Sequence, residues 1–341
     1  MMIRSKAPLR IGLAGGGTDV SPYSDLYGGA ILNATINLYA YATLEPQNNN
    51  KIEFIINGSE KHLVLDSAES LPANEDFALF IGVYNRLVKQ FKLKPLSFTL
   101  TSYIEAPQGS GLGTSSTIVV SLLGVFVEWL NLPLGKYDIA HLAYDIERID
   151  LAMSGGKQDQ YAATFGGINF LEFFGNDKVI VNPLQLKSKI VYELEHNLLL
   201  YYTSTQRHSA NIIREQVKNV QEKNTKSVDA MHNLKEQALQ MKDALLRGEL
   251  NKIGEILHFG WQNKKQMAAS ISNSQIDAIY TTAIDNGATG GKISGAGGGG
   301  FMFFYCPGTS KLKVARAIES MGGTIQPFKF TQQGLVTWTT E

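Results

Sequence analysis

The residues Pro107-Gln108-Gly109-Ser110-Gly111-Leu112-Gly113-Thr114-Ser115-Ser116 have the types and the spacing to hold a phosphate chain. Glycines at alternate positions (Gly109, Gly111, Gly113) clear side chains from a turn, so several backbone N–H groups can converge on one point. Hydroxyl residues come next, then an apolar run, Thr117 to Leu130, that reads as a buried helix capped by Thr114 or Ser115. The helix N-terminus adds its partial positive charge to that nest of amides. Ser116, one residue into the helix, is placed for its hydroxyl to reach a magnesium ion carried by the phosphates.

Neither of the two commoner phosphate loops is present. A Walker A loop needs Gly-Lys followed by Ser or Thr, but Gly135-Lys136, Gly156-Lys157 and Gly291-Lys292 are followed by Tyr137, Gln158 and Ile293. Gly295-Ala296-Gly297-Gly298-Gly299-Gly300 fits the letters of a dinucleotide fingerprint. The next five residues, Phe301-Met302-Phe303-Phe304-Tyr305, read as a strand, so the helix that fingerprint requires is missing.

Any phosphate must be held by local geometry, because the chain has no global field. Lys plus Arg equals Asp plus Glu at 31 each, which argues against nucleic acid and against acidic membrane as partners. The single Cys306 excludes an internal disulfide and a cysteine metal cluster, and reads as a buried strand residue. The first residues, Met1 to Pro8, lack the apolar stretch of a signal peptide, and no run approaches membrane-spanning length. A soluble, cytoplasmic protein is expected. Its 341 residues are enough for two domains.

The elements that would carry these residues are legible. Ile31 to Leu44 and Ile52 to Ile56 read as strands around the turn Pro46 to Asn50, Phe77 to Phe91 as a helix, and Ser97 to Ile104 as the strand leading into the loop. Ile139, Leu142, Ile146, Ile149 and Met153 fall at helical spacing, a helix that Ser154-Gly155-Gly156 ends. Strand signals return at Gly167 to Phe174 and Leu198 to Thr203, and a long polar amphipathic helix runs from Ser209 to Arg247. The composition shifts near residues 175–205, and domains of 1–190 and 191–341 are expected. The last segment reads helix, glycine cluster, strand, helix, strand pair, in the order of a split βαβ sandwich.

Glycines concentrate in three places: residues 12–17 hold four, 109–113 three and 287–300 eight. One such loop is an ordinary turn; three suggest a single ligand approached from several sides. Taken with the sequences around them, Ala7-Pro8-Leu9-Arg10-Ile11-Gly12-Leu13-Ala14-Gly15-Gly16-Gly17-Thr18-Asp19, the glycine–serine loop, and Lys292-Ile293-Ser294-Gly295-Ala296-Gly297-Gly298-Gly299-Gly300, the chain resembles the GHMP kinases. The resemblance implies a two-domain α+β fold, with an N-terminal domain like ribosomal protein S5 domain 2, a ferredoxin-like C-terminal domain, and an active site in the cleft between them. Gly-Gly-Gly-Thr-Asp at 15–19, followed by Val20-Ser21-Pro22-Tyr23 and Gly28-Gly29, is most similar to the heptose 7-phosphate kinase branch, and less so to L-fucokinases.

The resemblance also implies roles. ATP would lie along Gly109 to Ser116, with Mg2+ held by Ser116 and by Glu147, whose neighbours Asp145 and Asp150 read as solvated. Asp159 matches the carboxylate that orients or deprotonates the attacking hydroxyl. Arg10 would keep Asp159 ionised and stabilise charge on the transferring phosphoryl group, or form a purely structural pair with it. Asp19, with Gly17 and Thr18, matches the sugar-binding position, and its carboxylate can accept two hydroxyls or cap the following helix. A phosphorylated sugar needs a further grip, for which Arg207 with Lys157 in support is the candidate; a solvated surface role for Arg207 is the plain alternative. Gly297 and Gly298 would close the pocket, and Lys292 would contact substrate or lie exposed. The expected activity is phosphorylation of the anomeric hydroxyl of a heptose 7-phosphate. Rivals are a fucokinase-like kinase for free sugar and a non-catalytic sugar and ATP sensor. The polar helices after residue 209 also offer faces on which two copies could pair as a homodimer.

Overall fold

Ile3 and Ala7 belong to one hydrophobic core, whereas Leu9, Ile11 and Leu13, in the same odd register of the same strand, belong to another. The switch is made by a register shift between Pro8 and Arg10, a β-bulge that re-aims the strand and turns Arg10 toward the glycine loop. The molecule is built around this change of face. The computed structural model describes residues 1–107, 109–205 and 209–341.

Among the described residues twelve strands form two sheets: β1 (Met2–Ala14), β2 (Gly29–Pro46), β3 (Lys51–Ile56), β4 (His62–Asp66), β5 (Phe98–Ile104), β6 (Ile168–Phe173), β7 (Val179–Pro183), β8 (Leu198–Tyr202), β9 (Gly290–Ile293), β10 (Phe301–Tyr305), β11 (Thr324–Ile325) and β12 (Val336–Thr340). The larger sheet runs β12-β1-β2-β5-β3-β4, and the long β2 also pairs with β6, which pairs with β7. The last strand, β12, is thus added to the edge of the sheet built by the first part of the chain. The smaller sheet runs β11-β8-β10-β9 with every neighbour antiparallel, the order of a ferredoxin-like split βαβ unit.

The helices Ala78–Phe91 and Thr114–Leu130 cover one face of the larger sheet, sharing a core with Phe54, Phe98 and Leu100. The other face meets β8, β10 and the helices Thr225–Arg247 and Ile253–Met267 through Leu200, Met241, Leu257 and Phe303. Strands β8 and β10 are covered on both faces, which is why their sequences are continuous apolar runs rather than alternations. Among the described residues, no helix is long and apolar enough to cross a membrane.

Local readings need three corrections. The helix after the glycine loop begins at Thr114 with Gly113 as N-cap at φ 82°, so neither Thr114 nor Ser115 caps it. The polar stretch after residue 209 is two helices, Ser209–Gln221 and Thr225–Arg247, the second capped by the Asn224 side chain. The helix Lys136–Asp145 runs into a π-turn, Ile146–Asp150. That extra residue rotates the later positions, so Ile139, Leu142 and Ile146 are buried while Ile149 and Met153 are exposed.

Candidate active site

The glycine loop is tied to the protein by its carbonyls. Phe301 N–H donates to Ser110 O at 2.8 Å and Arg10 N–H to Leu112 O at 3.1 Å. Gly111 O accepts from Arg10 Nη1 at 2.6 Å and from Ser294 Oγ at 2.8 Å. Gly109, Gly111 and Gly113 all take positive φ, which is what the alternate glycines were needed for. Gly300 lies so close to the loop that a β-carbon would stand 2.3 Å from Ser110 O, so the third glycine cluster does flank the glycine–serine loop.

With its acceptors used on the protein side, the loop presents Gly109, Gly111, Gly113, Thr114, Ser115 and Ser116 to a cavity of about 440 Å³. The N–H groups of the first helical turn have no intrahelical acceptor and suit an anion there. Ser110 and Leu112 do not line this cavity; both side chains are buried, and Leu112 packs in the second core.

Glu147 is fully buried, not an exposed helical acid. Its Oε1 accepts from Ser115 Oγ at 2.9 Å, its Oε2 from Gln160 Nε2 at 2.5 Å, and Arg148 Nη1 lies 3.5 Å from Oε1. It is Ser115, at the second helical position, and not Ser116, that the structure joins to Glu147. Nor are the neighbouring acids simply solvated: Asp150 takes a bidentate pair from Arg86 at 2.6 and 2.9 Å, and Asp145 lies 3.9 Å from the same guanidinium. Among the described residues no three His, Cys, Asp or Glu side chains gather as a metal cage. A hard cation here would take one carboxylate, one hydroxyl and ligand oxygens, a donor set that suits Mg2+.

Asp159 stands in the first turn of the helix Gln158–Phe165, against the Gly113 backbone. Arg10 Nη2 and Nε reach its Oδ1 at 2.6 and 2.7 Å, and Gln158 Nε2 reaches the same oxygen at 3.2 Å. Three donors on Oδ1 leave Oδ2 for an incoming hydroxyl.

Asp19 is buried and accepts from the Gln158 N–H at 3.0 Å, so it does cap a helix, though not the next one along the chain. Burial raises its carboxyl pKa above the ordinary 3.8; the Gln158 N–H opposes that and the charge of Asp159 adds to it. Gly17 lines the cavity beside Asp19. Thr18 does not: its hydroxyl lies 2.8 Å from Gly15 O and 3.0 Å from Ala30 O, either of which can take its one proton, and accepts from Ala30 N–H, closing the turn.

Two further expectations fail. Lys157 is buried with Nζ 2.7 Å from Asp177 and 5.3 Å from the Tyr144 ring centre, outside the cavity. Gly297 and Gly298 pack on Ile271, leaving Gly295 and Ala296 as the cavity-lining members of that cluster. Arg207 lies outside the described residues.

Sequence reasoning left Lys292 open between two readings and missed Lys264, Arg148 and Arg214. Lys292 is not exposed: it is buried, donates to Gly12 O at 3.0 Å and lines the cavity. Lys264, from the helix Ile253–Met267, joins it and donates to Gly16 O at 3.2 Å. Burial, then the charges of Lys264 and Arg10, hold the Lys292 pKa well below its ordinary 10.5. Two buried lysines whose charges oppose one another, with Arg10 on the same cavity, call for an anionic guest. Arg148 and Arg214 also line it. Nothing in the spacing of these residues distinguished them from surface cations.

Known proteins resemble this chain over nearly its whole length. The description "GHMP kinases N terminal domain" matches residues 78–167 and "GHMP kinases C terminal" residues 241–323. The chain is 48% identical over 336 residues to the D-glycero-alpha-D-manno-heptose 7-phosphate kinase of Campylobacter jejuni, covering 98% of each. It is similar to the crystal structure of a D-glycero-D-manno-heptose 1-phosphate kinase from Bacteroides thetaiotaomicron, with 46% identity, 99% of each chain covered and a TM-score of 0.86. The galactokinase of Lactococcus lactis, at 18% identity and a TM-score of 0.78 over 98% of this chain and 95% of its own, shares the fold.

Proposed function

This chain belongs to the GHMP kinase family, and from that premise we propose that it transfers the γ-phosphoryl group of ATP to the anomeric hydroxyl of D-glycero-D-manno-heptose 7-phosphate. The product is the 1,7-bisphosphate, a precursor of nucleotide-activated heptose. The observation that carries the reading is the convergence on one cavity of the glycine loop, the Ser115–Glu147 pair, the Arg10–Asp159 pair and Asp19.

In this reading the triphosphate lies on the amides of residues 109–116. The adenine enters the cavity of about 910 Å³ that Leu71, Ile81, Gly82 and Leu151 line together with polar side chains such as Asn74, Asn85 and Gln90, and whose Leu151 directly precedes Ala152 and Met153 of the main cavity. Glu147 and Ser115 hold Mg2+, which supplies charge neutralisation on the phosphates. Asp19 accepts sugar hydroxyls, and Asp159 Oδ2 accepts or orients the anomeric hydroxyl as it attacks. Arg10, held by Gly111 O and Asp159, stands at the junction of acid and loop, where negative charge develops on the transferring group. Lys264 and Lys292 supply the remaining positive charge.

The test is ADP release with heptose 7-phosphate, heptose 1-phosphate, free heptose and L-fucose, with ³¹P NMR locating the new phosphate. A new anomeric phosphate formed fastest on the 7-phosphate supports the proposal. Preference for a free sugar, or for the 1-phosphate, defeats it.

A further inference from the structure

Beyond the loop Ser154-Gly155-Gly156 the main cavity opens into a side compartment of about 390 Å³. The two share Val20, Arg148, Gly155 and Arg214. Among the described residues, the compartment's lining adds Lys218 and includes no Asp or Glu, whereas the main cavity carries three carboxylates. A concave surface with three cations and no acid attracts an anion.

Arg148 is held in place at the junction. A β-carbon on Gly155 would stand 2.3 Å from its Nη2 and 2.4 Å from its Cζ, so the guanidinium lies against bare backbone. Its Nε and Nη2 are each 3.4 Å from Gly156 O, and Nη1 is 3.5 Å from Glu147 Oε1. Arg214 comes from the facing helix Ser209–Gln221, where Asn211 Oδ1 accepts from its Nη2. One turn further along, Lys218 pairs loosely with the exposed Glu222 at 3.8 Å.

We propose that Arg148 and Arg214, with Lys218 at the rim, bind the phosphate monoester that the sugar carries away from its reacting hydroxyl. This assignment rests on the heptose 7-phosphate reading. Of the other cations on the main cavity, Lys292 bonds Gly12, two residues from Arg10, and Lys264 bonds Gly16, so both are already held by backbone carbonyls of the first glycine loop. Asp19 rests against Gly156 and the Arg148 guanidinium against the adjacent Gly155, so a sugar held at Asp19 has Arg148 beside it on the same loop, at the mouth of the side compartment. Two guanidinium groups suit phosphate because each offers paired donors.

The test is the ratio of kcat/KM on heptose 7-phosphate to that on free heptose, in wild type, Arg148→Gln and Arg214→Gln. Arg214 is exposed on its helix, so its substitution does not endanger folding. The ratio is expected to fall about 10- to 100-fold in each variant, through KM for the phosphorylated sugar, because each loses charge-assisted hydrogen bonds. An equal loss on both sugars, as a merely structural role would give, overturns the assignment, as does an unchanged ratio. A wild-type enzyme with no preference for the phosphorylated sugar is a different failure: it removes the heptose phosphate reading itself, and this assignment with it.

Discussion

Gly156 stands so close to Asp19 that a β-carbon on it would lie 2.0 Å from Oδ2. Neither it nor Gly155 has positive φ, so what these two glycines provide is space, not backbone freedom. One makes room for a carboxylate and the other for a guanidinium.

Gly156→Ala should therefore displace Asp19 without straining the backbone. KM for the sugar is expected to rise about tenfold or more, equivalent to about 1.4 kcal/mol of lost binding, while KM for ATP stays near wild type. Steady-state kinetics with each substrate varied in turn checks this; a parallel rise in both constants would mean the loop collapses as a whole.

Glu147→Gln keeps the shape of the acid and removes its charge. It should lower kcat about 100-fold and raise the Mg2+ concentration needed for half-maximal rate. Ser115→Ala should shift the Mg2+ requirement in the same direction and Ser116→Ala should not, since only Ser115 reaches Glu147. Magnesium titrations of the three variants separate the two serines.

Asp159→Asn should cut kcat by about 10²- to 10⁴-fold, the range associated with a positioned acid–base group, with little change in sugar KM. Near-normal turnover would show that Asp159 and Arg10 are a structural pair. The Arg10→Lys variant is expected to lose activity too, because one ammonium cannot bond Asp159 Oδ1 and Gly111 O as the guanidinium fork does.

Lys292 sits in the folded protein with a pKa well below 10.5. Folding then favours its neutral form, so near neutral pH burying the charged form costs stability. Lys292→Met should raise the melting temperature by a few degrees, for about 1–2 kcal/mol, while lowering turnover. The gain has a defined pH dependence. Above 10.5 the lysine is neutral in both states and the gain is small; it grows as pH falls from 10.5 toward the depressed folded pKa and is constant below it. Thermal denaturation across about pH 7–11 measures this, and a variant less stable than wild type throughout would show that the hydrogen bond to Gly12 outweighs the burial cost.

The sequence by itself determined the loop and the family. Three alternating glycines ahead of hydroxyls and a buried helix are a local pattern: the backbone freedom of glycine and the helix N-terminus act over a few residues and need no tertiary information. The two sheets arise from apolar runs of strand length, which is why the ferredoxin-like order of the second half was already legible. Residues joined by a kinase motif, Arg10, Asp19, Glu147 and Asp159, do meet at one cavity.

Only the tertiary structure decided which neighbour does what. Ser115 is the serine that bonds Glu147, a choice made by the phase of the helix Thr114–Leu130 against the segment that carries Glu147. Lys157 turns to Asp177 while Lys264, from a helix far along the chain, enters the site. A cation's role depends on whether distant chain segments bury its stem and supply its counter-charge, and nothing in its own surroundings along the sequence records that. The π-turn at Ile146–Asp150 is of the same kind: one extra residue in a helical turn leaves the composition unchanged, yet it decides which side chains face the core.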